Sequence, residues 1–132
     1  MKILLDTNVL LWFLYGDQKR ISKDIRQLIY DRDNDLFVSI CSVWEVEIKH
    51  LKKPELMPID GDELFEALTD TDVHMLNIKY NYISKLKNVA EEAIHSDPFD
   101  QMVIATAIGE DLTILTADAQ IIKYKVIKTI QC

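Results

Sequence analysis

The chain has 132 residues, 48% of them hydrophobic, with only three glycines and three prolines. That excludes a disordered or fibrous chain and is expected of one domain over residues 1–132 with one core. Twenty-two acidic against 15 basic residues give a formal charge of −7, which excludes a basic, nucleic-acid-coating protein. The excess is local. From Asn88 to Ile122 there is no Lys or Arg, whereas Glu91, Glu92, Asp97, Asp100, Glu110, Asp111 and Asp118 are present, and the rest of the chain is formally neutral.

The elements follow in chain order. Lys2 to Leu5 is a short apolar strand ended by Asp6, and Thr7 to Tyr15 is a helix broken at Gly16-Asp17. Ser22 to Arg32 is amphipathic, with Ile25, Leu28 and Ile29 at helical spacing and Ser22 as cap. Leu36 to Ser39 is a strand apolar enough to be buried on both faces. Cys41 to Lys53 is helical, with Val43, Trp44, Ile48 and Leu51 on one side, and Pro54 stops it. Asp60 or Asp62 caps a helix through Leu68, Val73 to Leu76 is a strand, and Tyr80 to Lys87 is helical. Asp97-Pro98 opens a long helix ending near Gly109, with Pro at the favoured first position. Leu112 to Leu115 is a strand, followed by a short helix near Ala119 and a last strand over Val126 to Ile130. Strands alternating with helices imply an α/β domain with a mostly parallel central sheet.

Two cysteines, Cys41 and Cys132, cannot build a disulfide framework, which points to a reducing cytoplasm. The apolar start, Ile3 to Tyr15, imitates a signal peptide. It is interrupted by Asp6 and Asn8, lacks a small-residue cleavage site, and is shorter than the roughly 20 residues that span a bilayer. No membrane association is expected.

In open parallel sheets, sites form at the carboxyl ends of strands. Asp6, Glu45 and Asp118 fall there, and Asp97 and Asp100 begin a helix that can point at the same edge. Each also has a structural reading. Asp6 and Asp97 are good helix caps, Glu45 lies three residues after Ser42 as in a capping box, Asp100 complements a helix dipole, and Asp118 suits an Asx turn. Together they suggest more. Several carboxylates in one place repel unless a cation neutralises them, and an all-oxygen set suits Mg²⁺ or Mn²⁺ rather than Zn²⁺. One or two such ions can activate water and stabilise a leaving oxygen on a phosphodiester. His50, His74 and His95 have no zinc spacing, although His95 lies two residues before Asp97, and there is neither a glycine-rich phosphate loop nor a Gly-x-Ser-x-Gly elbow. Trp12, Trp44 and Phe99 read as core or interface anchors rather than base-stacking platforms.

Four blocks carry a resemblance. They are Leu5-Asp6-Thr7-Asn8-Val9-Leu10-Leu11-Trp12, Val38-Ser39 with Ser42 to Lys49, His95-Ser96-Asp97-Pro98-Phe99-Asp100, and Leu115-Thr116-Ala117-Asp118. In order and spacing, over nearly the whole chain, they resemble the PIN domain, most of all its VapC-type bacterial toxins. The resemblance implies a three-layer α/β/α fold and a metal-dependent endoribonuclease held inactive by a cognate antitoxin, often as a homodimer. It implies Asp6, Glu45, Asp100 and Asp118 as catalytic, metal-holding acids, with Asp97 accessory and with Asn8 and Thr116 orienting ligands or water.

The chain departs from that pattern at Ser96 and Gln101, where the family often has bases, at Asn8, where it often has His, and at Glu47, an added acid. Contact with an RNA backbone then falls to bases elsewhere: Lys49, His50, Lys52 and Lys53, or Lys19, Arg20, Lys23 and Arg26. Solvated helix faces explain both clusters equally well. Leu11, Trp12 and Tyr15 are candidates for a dimer surface. Two other readings compete. One is a catalytically weak or inert fold that only binds an antitoxin-like protein. The other is an aspartate-based phosphotransfer domain, against which stands Asn8 where a second acid is wanted. Part of the −7 is accounted for as metal ligands, and Glu91, Glu92, Glu110 and Asp111 are expected to be ordinary surface acids.

Overall fold

A computed structural model describes residues 1–17, 19–94 and 96–132. β1 (Lys2–Leu5) passes through the single residue Asp6 into α1 (Thr7–Tyr15), which is followed by α2 (Lys23–Tyr30) and β2 (Asp35–Ser39). Then come α3 (Ile40–Lys52), α4 (Gly61–Thr69) and β3 (His74–Leu76). The chain continues through α5 (Tyr80–Glu91), α6 (Pro98–Glu110), β4 (Thr113–Thr116), α7 (Ala119–Ile122) and β5 (Lys128–Gln131). The strands lie in the order β3-β2-β1-β4-β5, and every pairing among the described residues is parallel. Parallel neighbours need crossover connections, so helices cover both faces.

Alternation along the strands sorts the core into two. Ile3, Leu5, Val38 and Leu115 face α1 to α4 and pack with Val9, Leu10, Ile25, Ile29, Val46, Leu64 and Leu68. Leu4 and Ile114 face the other way and pack with Tyr82 and Val89 of α5, Val103, Ile104 and Ala107 of α6, and Ile121. The result is an α/β/α sandwich. No helix among the described residues is long and apolar enough to cross a membrane.

Three expectations need correction. α3 begins at Ile40, capped by Ser39 Oγ, which accepts the Cys41 N–H. Ser42 therefore lies inside the helix and forms no capping box with Glu45. The buried residues of α3 are Cys41, Ser42 and Val46, whereas Trp44 and Leu51 are exposed. Helical spacing alone cannot choose between stripes of similar hydropathy, and here Val46 enters the core behind β2 while Ser42 meets α1. α5 runs on to Glu91, because Val89 is fully buried and packing outweighs the weak propensity of Asn88. α6 ends at Glu110, next to Gly109 as expected. The terminator is Asp111, at φ 54, whose N–H returns to the Ala107 carbonyl. Gly109 instead lets α5 approach, since a Cβ there would stand 2.7 Å from Tyr82 Cδ1.

Two of the acids expected to be ordinary surface residues also do structural work. Glu110 Oε1 accepts from Tyr82 Oη at 2.5 Å and Lys79 Nζ at 3.1 Å, which hold its pKa below the usual carboxylate value and tie α5 to α6. Glu92 accepts the backbone N–H groups of Lys125 and Val126, at 2.8 and 3.1 Å, pinning the segment that leads into β5.

Candidate active site

Three neighbouring strands end at one edge, and each hands over to a helix through a polar cap. Asp6 caps α1 by accepting the Thr7 N–H on Oδ1 at 2.8 Å. Ser39 caps α3, and Asp118 caps α7 by accepting the Gln120 N–H at 2.8 Å. β1 and β4 lie side by side where the strand order reverses, which is where crevices open in such sheets. Their register pairs Leu5 with Leu115, so the next residues, Asp6 and Thr116, are neighbours. Thr116 Oγ1 donates to Asp6 Oδ2 at 2.7 Å and accepts the Asp118 N–H at 3.0 Å. One buried hydroxyl thus joins two of the candidate acids.

A second chain of hydrogen bonds runs from α1 to α3. Thr7 Oγ1 lies 2.8 Å from both Ser42 Oγ and Glu45 Oε1. Thr7 has one hydroxyl proton and an ionised Glu45 can only accept, so Thr7 donates to Glu45 and Ser42 donates to Thr7. The other oxygen of Glu45 accepts from Lys49 Nζ at 2.6 Å, one turn along α3. Neither Thr7 nor Ser42 was singled out from the sequence as a site residue. The helical spacing of Ser42 and Glu45 is a usable signal, although by local rules it matches a capping box.

Asp6 is 6% exposed. Burial raises its pKa above the ordinary 3.8, the bonds from Thr116 and the Thr7 N–H pull it back, and the negative charges of Glu45 and Asp118 raise it further. The site therefore holds a buried carboxylate whose charged form is disfavoured by desolvation and by two like charges. A cation would relieve both.

Asp97 caps α6, its Oδ1 accepting from the N–H groups of Phe99 and Asp100 at 2.9 and 3.1 Å. Asp100 is half-buried on the first turn of that helix. The Phe99 ring meets the edge of Trp44 with centroids 5.0 Å apart, which sets the start of α6 beside α3. Trp44 is exposed rather than core. Asn8 is exposed on the first turn of α1. His95 lies outside the described residues, His50 Nδ1 bonds the Met57 carbonyl at 2.7 Å, and His74 stacks on Phe37. Among the other bases, Lys52 and Lys53 are exposed at the end of α3, whereas Arg20 pairs with Asp17 and lies over Trp12. A cavity of about 890 Å³ lined by Phe13, Tyr30, Asp31, Arg32, Asp72 and His74 opens at the opposite, amino edge of the sheet, away from these acids.

Among the described residues, no three His, Cys, Asp or Glu side chains stand close enough together to hold a metal ion. Both Asp6 oxygens are turned to Thr7 and Thr116, and Glu45 is turned to Thr7 and Lys49. The donor chemistry nevertheless fits a hard divalent cation, being all oxygen, anionic and electrostatically undercompensated at Asp6.

The PIN domain model matches residues 3–127. The chain belongs to the PIN domain family. Solved structures similar to this PIN domain include VapBC2 from Rickettsia felis bound to a DNA fragment from its promoter, at 13% identity and a TM-score of 0.71. That match covers 99% of this chain and 98% of the other. DNA-bound VapBC from Salmonella typhimurium is similar at 14% identity and a TM-score of 0.70, again over 99% and 98%. A toxin–antitoxin complex from Klebsiella pneumoniae follows at 19% identity and a TM-score of 0.64, over 98% and 99%. At these identities the likeness is one of fold. No curated protein matches this chain in sequence.

Proposed function

We propose that this PIN domain is a Mg²⁺- or Mn²⁺-dependent endoribonuclease, the toxin of a toxin–antitoxin pair, acting in the cytoplasm. The observation that carries the reading is the buried, destabilised carboxylate of Asp6 beside Glu45 and Asp118 in a chain of this family. Asp6, Glu45, Asp100 and Asp118 are the residues that would hold the metal. When bound, a divalent ion supplies a water of lowered pKa and stabilises charge on the phosphate.

The chain's own residues do the rest. Thr116 aims Asp6 Oδ2 and at the same time anchors the Asp118 backbone. Ser42 and Thr7 aim Glu45. Asp97 holds the first turn of α6 and with it the position of Asp100. In this reading Asn8 orients a ligand or water, and Lys49, Lys52, Lys53 and Arg20 are the candidate contacts to the RNA backbone. The likeness in fold to chains in VapBC complexes supports a cognate antitoxin as partner. We include a homodimer in the reading.

The test is to map RNA ends after induction of wild type and Asp6→Asn, and to repeat the cleavage with purified protein in the presence of a chelator. The expected result is new ends from wild type alone, lost on chelation. Cleavage that survives both the substitution and chelation refutes the reading. Calorimetric metal binding without cleavage of any RNA pool would replace it with an inert, antitoxin-binding fold.

A further inference from the structure

Glu45 is held by two contacts of opposite character. On Oε1 the partner is Thr7, a buried hydroxyl itself held by the fully buried Ser42. On Oε2 the partner is the Lys49 ammonium, at the end of a flexible four-methylene stem. The Glu45 side chain is 13% exposed and that of Lys49 51%. One contact is rigid and the other reaches in from solvent. The 2.6 Å separation is that of a charge-assisted bond, so the ammonium is the direct counter-ion of this carboxylate.

We propose that Lys49 is a tethered counter-ion that competes with the divalent cation for Glu45, and so sets how tightly this site binds metal. The inference rests on the metal-dependent reading above. Oε2 is committed along the helix to Lys49, and among the described residues Glu45, Asp6 and Asp118 form no three-carboxylate cluster. For Oε2 to become a ligand, Glu45 must exchange the ammonium for the divalent ion. A doubly charged ion doubles the Coulomb attraction to Glu45 and adds that of Asp6 and Asp118. Against this stands only a solvent-facing pair one helical turn apart, a class of contact with little net stability. The exchange therefore runs toward metal while leaving its affinity below that of a site with no resident cation. Thr7 keeps Oε1 in place throughout, so the carboxylate pivots about a fixed oxygen.

The test is calorimetric titration of the full chain with Mg²⁺ for wild type, Lys49→Met and Lys49→Arg, beside proton–carbon spectra of the Lys49 ε-methylene in wild type. Lys49→Met is expected to bind Mg²⁺ about three- to tenfold more tightly, through loss of a like charge beside the ion. Lys49→Arg is expected to stay within about twofold of wild type. The Lys49 signal should shift in wild type with the midpoint of the binding isotherm. If wild type binds Mg²⁺ but Lys49→Met binds no more tightly, or the Lys49 signal stays still at saturation, the inference fails and the metal-dependent reading stands. If none of the three chains binds Mg²⁺ or Mn²⁺, both fail. Should Lys49→Met not fold, the wild-type spectra decide alone.

Discussion

Replacing Thr116 with valine keeps the shape of a fully buried side chain and deletes one hydroxyl. That hydroxyl donates to Asp6 Oδ2 at 2.7 Å and accepts the Asp118 N–H at 3.0 Å. A hydrogen bond to an ionised carboxylate contributes about 1.5–3 kcal/mol and one between neutral groups about 0.5–1.5 kcal/mol. Above the Asp6 titration the variant loses one bond of each class, or about 2–4.5 kcal/mol. Below it the carboxyl is neutral, both bonds are of the weaker class, and the loss falls to about 1–3 kcal/mol. The difference, about 1 kcal/mol, reports the Asp6 charge specifically. Its sign follows from linkage. Thr116 favours the charged form, so its removal raises an Asp6 pKa already raised by burial. The native variant then holds its proton to higher pH than the unfolded chain does, and its stability falls further as pH rises from 3.8 through the raised value. Urea denaturation of metal-free protein at pH 8 and below the Asp6 titration, located by carboxyl carbon NMR, measures both losses. An equal loss at the two pH values, or an Asp6 that titrates lower in the variant, refutes the assignment of Thr116 as the residue that steadies the Asp6 charge.

The same linkage predicts that metal-free wild type is most stable at low pH with respect to Asp6 and loses that contribution as pH rises through its raised pKa. Asp6→Asn should flatten this slope, seen in urea midpoints across the range; an unchanged slope would place the pH dependence on another group. Gly109→Ala and Gly16→Ala separate crowding from backbone strain. At Gly109 the new Cβ meets the ring of a fully buried Tyr82 at 2.7 Å, and overpacking should cost about 1–3 kcal/mol. At Gly16, φ 77 with nothing within 4 Å, only the left-handed backbone is strained, at about 1 kcal/mol. Denaturation showing no loss for Gly109→Ala would refute the close approach of α5 to α6.

The structural readings of the acids and their convergence on one edge turn out to be compatible. Asp6, Asp97 and Asp118 all cap helices, and they do so at the edge where strands end. A helix that starts at the carboxyl edge needs a side-chain acceptor there, so in this architecture capping and gathering of carboxylates have one cause. Glu45 is the exception. Its local reading as half of a capping box fails because Ser39, the last residue of β2, already caps α3. The spacing of Ser42 and Glu45 serves a contact to Thr7, 35 and 38 residues away in sequence, which no local rule anticipates.

Hydrophobic alternation, caps and breakers are local properties of the chain. They were enough to order the strands and helices, to require a parallel sheet, and to put Asp6, Glu45 and Asp118 near the ends of strands. The distribution of charged residues likewise locates the stretch from Asn88 to Ile122 in which the whole −7 resides. The tertiary structure alone decided how those charges are used. It divides them among Glu110 between two helices, Glu92 beneath the segment before β5, Asp97 at the head of α6, and Asp118 joined through Thr116 to a buried Asp6. The physical reason is range. A helix cap is made within about four residues, whereas the pKa of a buried carboxylate and the partner of each of its oxygens depend on strands brought side by side from opposite ends of the chain.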